Sequence, residues 1–194
     1  NNTLLTGSGT SAAAPTVAGI AALLVEAYRE FNQQQDPTAD IIKGIMLNTA
    51  DDLGRKGPDY DFGWGKVHAA RALEALQQQQ YSRHNIHQGG SQNITIPVPA
   101  NTAEVKIMLY WNDAQGSPVA AQALVNDLDL KVYSPSGNLH LPWKLSTFPH
   151  ADSLTRPAYR GVDRINNMEQ VSIETPVARS EEHTSELQSL LIIS

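Results

Sequence analysis

The run Gly9-Thr10-Ser11-Ala12-Ala13-Ala14-Pro15, followed by Val17-Ala18-Gly19, sets one hydroxyl at the mouth of an alanine-rich apolar stretch. A serine nucleophile needs access, a base for its proton, and donors for the oxyanion it creates. The first turn of a helix offers part of this. Its N–H groups lack intrahelical acceptors, and the helix dipole favours developing negative charge. The backbone N–H of Ser11 would be one such donor. Small side chains at Ala12, Ala13 and Ala14 leave room for a substrate backbone, and Gly9 permits a sharp entry into the helix. The same residues equally suit an ordinary serine N-cap opening a structural helix.

The elements around this run begin with three predicted helices. The first starts around Ser11 and runs through Ala18, Ile20, Ala21, Leu23, Leu24 and Tyr28 to about Phe31. It is apolar on nearly all faces, as a helix through the middle of a core would be. Pro15 fits its first turn, where the missing donor costs nothing. The second follows Asp36-Pro37, with Ile41, Ile42, Ile45 and Met46 at helical spacing, and ends near Ala50. A Gly-, Pro- and Asp-rich loop spans Asp51 to Gly65. The third helix, Val67 to about Gln79, would bury Val67, Ala70, Leu73 and Leu76. Polar residues from Gln77 to the Gly89-Gly90 pair read as a linker. Beyond it the apolar period shortens to two, at Ile94, Ile96 and Val98, at Val105, Ile107, Leu109 and Trp111, and at Leu128, Leu130 and Val132. Ser134-Pro135-Ser136-Gly137 supplies a turn. Such a succession predicts an antiparallel β-sandwich.

The run GTSAAAPTVAGIAALL resembles the nucleophile motif of the subtilisin-like serine proteases (subtilases, peptidase family S8), GTSxAxP followed by VAG. Asp61-Phe62-Gly63-Trp64-Gly65-Lys66-Val67, leading into Ala69, Ala70 and Leu73, is similar to the closing segment of the same catalytic domains, and Leu47 to Ala50 fits their penultimate helix. The resemblance covers roughly residues 5 to 80. It implies that Ser11 is the nucleophile and that its backbone N–H contributes to the oxyanion hole. It also implies hydrolysis of peptide bonds in protein or peptide substrates, and secretion. Family order is Asp, then His, then Ser, which puts both partners and the oxyanion amide before Asn1. None of His68, His84, His87, His140, His150 and His183 lies in a His-Gly-Thr-type run, and none is assigned a catalytic role. With Asn1 in place of a methionine and no signal peptide ahead of the first helix, the chain reads as a truncated, inactive piece of its parent.

Leu109-Tyr110-Trp111-Asn112-Asp113, Leu124 to Leu130 and Asp163 to Glu169 resemble the jelly-roll domain of the alkaline, oxidatively stable subtilases. The expected fold is the helical C-terminal part of an α/β subtilisin-like catalytic domain (residues 1–80), a linker (81–90) and a partial all-β antiparallel sandwich or jelly roll (91–178). Residues 179–194, with Arg179-Ser-Glu-Glu-His-Thr-Ser-Glu-Leu-Gln-Ser189, resemble a translated sequencing adapter and are expected to be non-native. Asp113, Asn126, Asp127 and Asp129 carry the oxygen ligands calcium prefers, and subtilases often bind it for stability; the chemistry itself requires no cofactor. The same four residues also suit capping of strands and turns, and no EF-hand-like spacing singles them out. A net charge of −6 without a basic cluster argues against nucleic acid. The longest apolar stretch, Ala12 to Val25, is interrupted, so no transmembrane helix is expected. The absence of cysteine excludes disulfides and thiolate metal sites. A second reading makes the sandwich the working part of a binding or adhesion protein, with the helices a degenerate scaffold.

Overall fold

The computed structural model describes residues 7–174 and the backbone of 187–193. The expected helices appear as α1 (Thr10–Phe31), α2 (Ala39–Asn48) and α3 (Ala69–Gln77). The strands are β1 (Tyr81–His84), β2 (Glu104–Trp111), β3 (Val132–Tyr133), β4 (Leu139–His140), β5 (Trp143–Lys144), β6 (Tyr159–Arg160), β7 (Met168–Glu174) and β8 (Leu187–Ile193), with a short α4 (Ala151–Thr155) between β5 and β6.

β2 is the wall both halves of the chain share. Met108 and Tyr110 join Leu24 of α1, Ile41, Ile42 and Ile45 of α2, and Ala72, Ala75 and Leu76 of α3 in one buried cluster. Val105, Ile107, Leu109 and Trp111 point the other way, into a second cluster with Leu130 and Val171. Period-two geometry sends alternate side chains to opposite faces, and with both faces covered β2 is buried from Val105 to Trp111. The alternation read at Val105–Trp111 therefore marks only one of its two apolar faces.

β2 pairs antiparallel with β7, from Glu104 opposite Glu174 to Tyr110 opposite Met168. On its other side it pairs parallel with β8, which pairs parallel with β1. The sheet, in order β1-β8-β2-β7, is thus mixed, where an antiparallel one was expected. Two small antiparallel hairpin-like sheets, β3–β4 and β5–β6, accompany it. The turn at Ser134–Gly137 joins β3 to β4, with the Gly137 N–H donating to the Ser134 carbonyl at 2.9 Å.

Several expectations are revised. Residues 94–98 form no strand; Ile96 and Val98 still pack on the second cluster, so their apolar side chains are used without ladder pairing. Tyr81–His84, read as linker, is a strand, held by Tyr81 against Tyr28 at a ring separation of 6.2 Å and by Arg83 paired to the buried Asp40 at 3.4 Å. α3 buries Ala72, Ala75 and Leu76 and leaves Leu73 40% exposed, because small residues let it lie close to α1 and α2. Of the tail expected to be non-native, 179–186 and Ser194 lie outside the described residues, while Leu187–Ile193 fills the slot between β1 and β2.

The largest departure concerns α1. Only Leu24 is buried; Ile20, Ala21, Val25 and Tyr28 pack beside it, and every residue from Gly7 to Gly19 is exposed. The apolar circumference remains, but the described residues cover one side of the C-terminal half alone. By length and composition α1 could also cross a membrane, contrary to expectation, although its packing on α2 and α3 is that of a globular helix.

Candidate active site

Gly9 precedes α1 with φ of 148°, a backbone conformation that residues with a Cβ rarely adopt. Its carbonyl accepts from Ala12 N at 3.0 Å and Ala13 N at 3.2 Å, closing the first turn. Ser11 is therefore the second residue of the helix, beyond the capping position. Gly9 occupies that position and makes no side-chain cap bond. The N–H groups of Thr10 and Ser11 have no acceptor among the described residues, and no acidic side chain sits in the first turn. The positive end of a 22-residue helix thus faces solvent beside an exposed hydroxyl. Thr16 bonds the Ala12 carbonyl at 3.0 Å, one turn behind.

None of the described histidines approaches Ser11 by a hydrogen bond. His68 caps α3, its Nδ1 accepting from Arg71 N at 3.1 Å. His84 lies in β1 beside Ser82 at 3.1 Å, and His140 lies in β4. His150 caps α4 by accepting from Asp152 N at 3.2 Å. His87 lies in the segment after β1, and His183 falls outside the described residues. An open pocket of about 340 Å³ is lined by Tyr60, residues 146–151, Ser153 and Leu154 and includes nothing from α1.

The Gly63-Trp64-Gly65 stretch has a definite local role. Gly63 and Gly65 have φ of 61° and 99°, and a Cβ on Gly65 would stand 1.9 Å from the Asp51 carbonyl oxygen. This contact lets Asp51 and Lys66 exchange backbone hydrogen bonds of 2.8 and 2.9 Å, fastening the end of the loop to the end of α2. Asp59 folds the loop from inside, accepting from Phe62 N, Asp61 N and Arg55 N at 2.7–3.1 Å. The Phe62 N–H above all holds its carboxyl below the ordinary range, against the opposing effect of desolvation.

A polar seam that sequence reasoning missed attaches this segment to the sheet. Gln170 of β7 donates to Asn48 at 2.9 Å, Asn48 donates to the Lys106 carbonyl at 3.3 Å, and Lys106 Nζ donates to the Ala50 carbonyl at 3.2 Å. Gly57 lies against the Trp143 ring, which also carries the Arg160 guanidinium at 3.5 Å. Burial pushes the Arg160 guanidinium down to about 10, opposed by Glu104 and Glu174. No periodicity marks a buried amide; only its partner across the interface does.

The three stretches singled out in the second half of the chain do come together. Asp113 accepts from Val125 N, Asn126 N and Asn126 Nδ2 at 2.6–2.9 Å, and Trp111 Nε1 donates to the Asn126 carbonyl at 3.1 Å. Arg164 pairs with Asp127, and Glu169 accepts from Leu130 N at 2.5 Å. Glu169 is 1% exposed, and its Oε1 has no hydrogen-bond partner among the described residues. Burial raises its carboxyl to about 7; the Leu130 N–H opposes that rise, and Asp129 and Asp163 add to it. The candidate calcium ligands do not fit an ion as they stand. Asp113 is committed to backbone and amide donors, Asp127 to Arg164, and no three acidic or histidine side chains among the described residues gather as a metal site.

Comparison with known proteins bears on the first half. Residues 1–65 match the model of the subtilase family, Peptidase S8. The chain is 42% identical over 66 residues to an extracellular serine protease of Serratia marcescens, covering 34% of this chain and 6% of that protein. The Neisserial autotransporter lipoprotein NalP of Neisseria meningitidis is 39% identical over 66 residues, with the same coverage. Fervidolysin of Fervidobacterium pennivorans is 26% identical over 156 residues, covering 79% of this chain and 18% of that protein. The chain thus spans a small part of the relatives it matches. Residues 1–65, the N-terminal third of the chain, are thus similar to the subtilase family.

Proposed function

We propose that this chain is part of a secreted serine endopeptidase in which Ser11 is the nucleophile. The observation that carries the reading is the placement of Ser11. It lies exposed in the first turn of α1, behind a positive-φ glycine, its own N–H without an acceptor among the described residues, inside a segment similar to the subtilase family. In such a site the hydroxyl oxygen attacks the substrate carbonyl carbon while a histidine takes its proton. The Ser11 N–H then donates to the oxyanion, and an aspartate holds the imidazole. Histidine and aspartate come from polypeptide outside these residues, since none of the described histidines hydrogen-bonds Ser11 and His68, His84 and His150 are engaged elsewhere. The uncovered N-terminal half of α1 is the surface that polypeptide would meet. Alone, the 194-residue chain should hydrolyse no peptide at a measurable rate, because in subtilisin loss of the histidine alone costs about 10⁶ in turnover.

The same reading takes the second half as the counterpart of a jelly-roll domain. Its support is the convergence of residues 109–113, 124–130 and 163–169 on one cluster. Residues 179–194 are read as adapter-derived sequence, Leu187–Ile193 occupying a strand slot that other polypeptide fills in the parent. The test of the enzyme is peptide hydrolysis by the complete protein. Ser11→Ala should lower kcat by about 10⁶ with little change in KM. A variant retaining wild-type turnover would overturn the assignment.

A further inference from the structure

Residues 114–124 form a loop with neither helix nor strand between the end of β2 and the start of the 125–130 segment. Every residue from Ser117 to Ala123 is exposed, and Val119, at 92%, is the most exposed large apolar side chain among the described residues. The stretch from Ala114 to Asn126 contains no charged residue. The one backbone hydrogen bond within the loop among the described residues runs from Ala120 N to the Ser117 carbonyl. Its base, by contrast, is clamped by the Asp113 carboxylate on Val125 N and Asn126, and by Trp111 Nε1 on the Asn126 carbonyl.

We propose that residues 119–124 are a limited-proteolysis site of this chain, cut by a serine endopeptidase that accepts small apolar side chains. An endopeptidase needs several residues pulled out in extended form, which requires a segment that opens locally while the body stays folded. This loop meets the condition on both counts. Water adds across one peptide bond, hydroxyl to the carbonyl carbon and hydrogen to the departing amine. Pro118 removes the Ser117–Pro118 bond from consideration, since its nitrogen is tertiary. The cut leaves β2 and β7 paired and Asn126 still bound to Trp111, so the product is a nicked, assembled molecule.

Other irregular segments among the described residues are anchored along their length. Residues 32–38 are tied by Arg29 to Asp36 at 2.6 Å, and 86–98, although exposed from His87 to Thr95, is pinned on both sides by Ile86, Ile96 and Val98 on the second cluster. The 146–154 segment is held by Tyr60 on the Ser146 carbonyl at 2.8 Å and Arg55 on the Leu154 carbonyl at 3.3 Å. The proposal treats the chain as a substrate and does not depend on Ser11 being a nucleophile.

The test digests the 194-residue chain with a trace of an added subtilisin-type endopeptidase, reading fragments by mass and the native product by gel filtration. The first cut should fall between Val119 and Leu124, with the two fragments co-eluting at the intact position. Ala121→Pro should slow that cut about tenfold or more, by stiffening the loop and blocking the bond before it. Asp113→Ala should speed it about tenfold, as loss of charge-assisted hydrogen bonds at the base eases opening. A first cut elsewhere, separation of the fragments, or an unchanged rate for Ala121→Pro would each overturn the proposal.

Discussion

The two ends of the segment similar to subtilases differ in how finished they are. From Ala39 to Gly65 it buries Ile41, Ile42 and Ile45 in the first cluster and is sewn to the sheet by Gln170, Asn48, Lys106 and Trp143. From Gly7 to Gly19 every residue of the same segment is exposed. A family match extends across both, yet only one is complete as packed structure within this chain. Sequence similarity marks common origin; burial marks which contacts the chain itself provides.

The finished end breaks most easily at Gly65. Gly65→Val would drive a Cβ into the Asp51 carbonyl from a backbone conformation that valine avoids, costing on the order of 4 kcal/mol or more. Urea denaturation should show loss of the folded baseline; a shift of under a fifth of that would mean the loop is looser than described.

The next effect in size is pH dependence at Glu169. Its folded-state carboxyl, raised to about 7 from 4.5, holds a proton that the unfolded chain has already released. Stability therefore falls as pH rises from 4.5 to 7, by about 3 kcal/mol, and is flat in this contribution above that window. Glu169→Gln should keep the Leu130 contact through its amide oxygen and flatten the curve. An unchanged slope would mean that this carboxyl titrates as an ordinary surface acid.

Neighbouring leucines on α1 sharpen the contrast within one helix. Leu24→Ala, at 3% exposure, should cost about 3 kcal/mol by thermal or urea unfolding. Leu23→Ser, at 64%, should stay within about 0.5 kcal/mol in this chain. Equal losses would show that the outer face is covered. Smaller again is Gln170→Met, which removes one donor from the buried Asn48 and should cost about 1–2 kcal/mol.

Much of this was legible in the residues. Helical spacing at Ile41, Ile42 and Ile45 located α2, and the Gly9-Thr10-Ser11 run located the start of α1 to within one residue. Alternation located β2 but hid its second buried face, because Met108 and Tyr110 are too few to set a pattern and Lys106 interrupts them. Tyr81–His84 looked like linker because its order comes from Tyr28 and Asp40, residues distant in the chain. The apolar circumference of α1 predicted a helix through the middle of a core, whereas the described residues cover only one side of its C-terminal half. The Asn48–Gln170 seam joins positions 122 apart, beyond the reach of any local pattern.

The most direct measurement is active-site labelling of the complete protein with a fluorophosphonate, mapped by mass spectrometry. The account predicts one adduct, on Ser11, absent from the 194-residue chain alone and from the Ser11→Ala variant. An adduct on another serine, or equal labelling of the isolated chain, would contradict it.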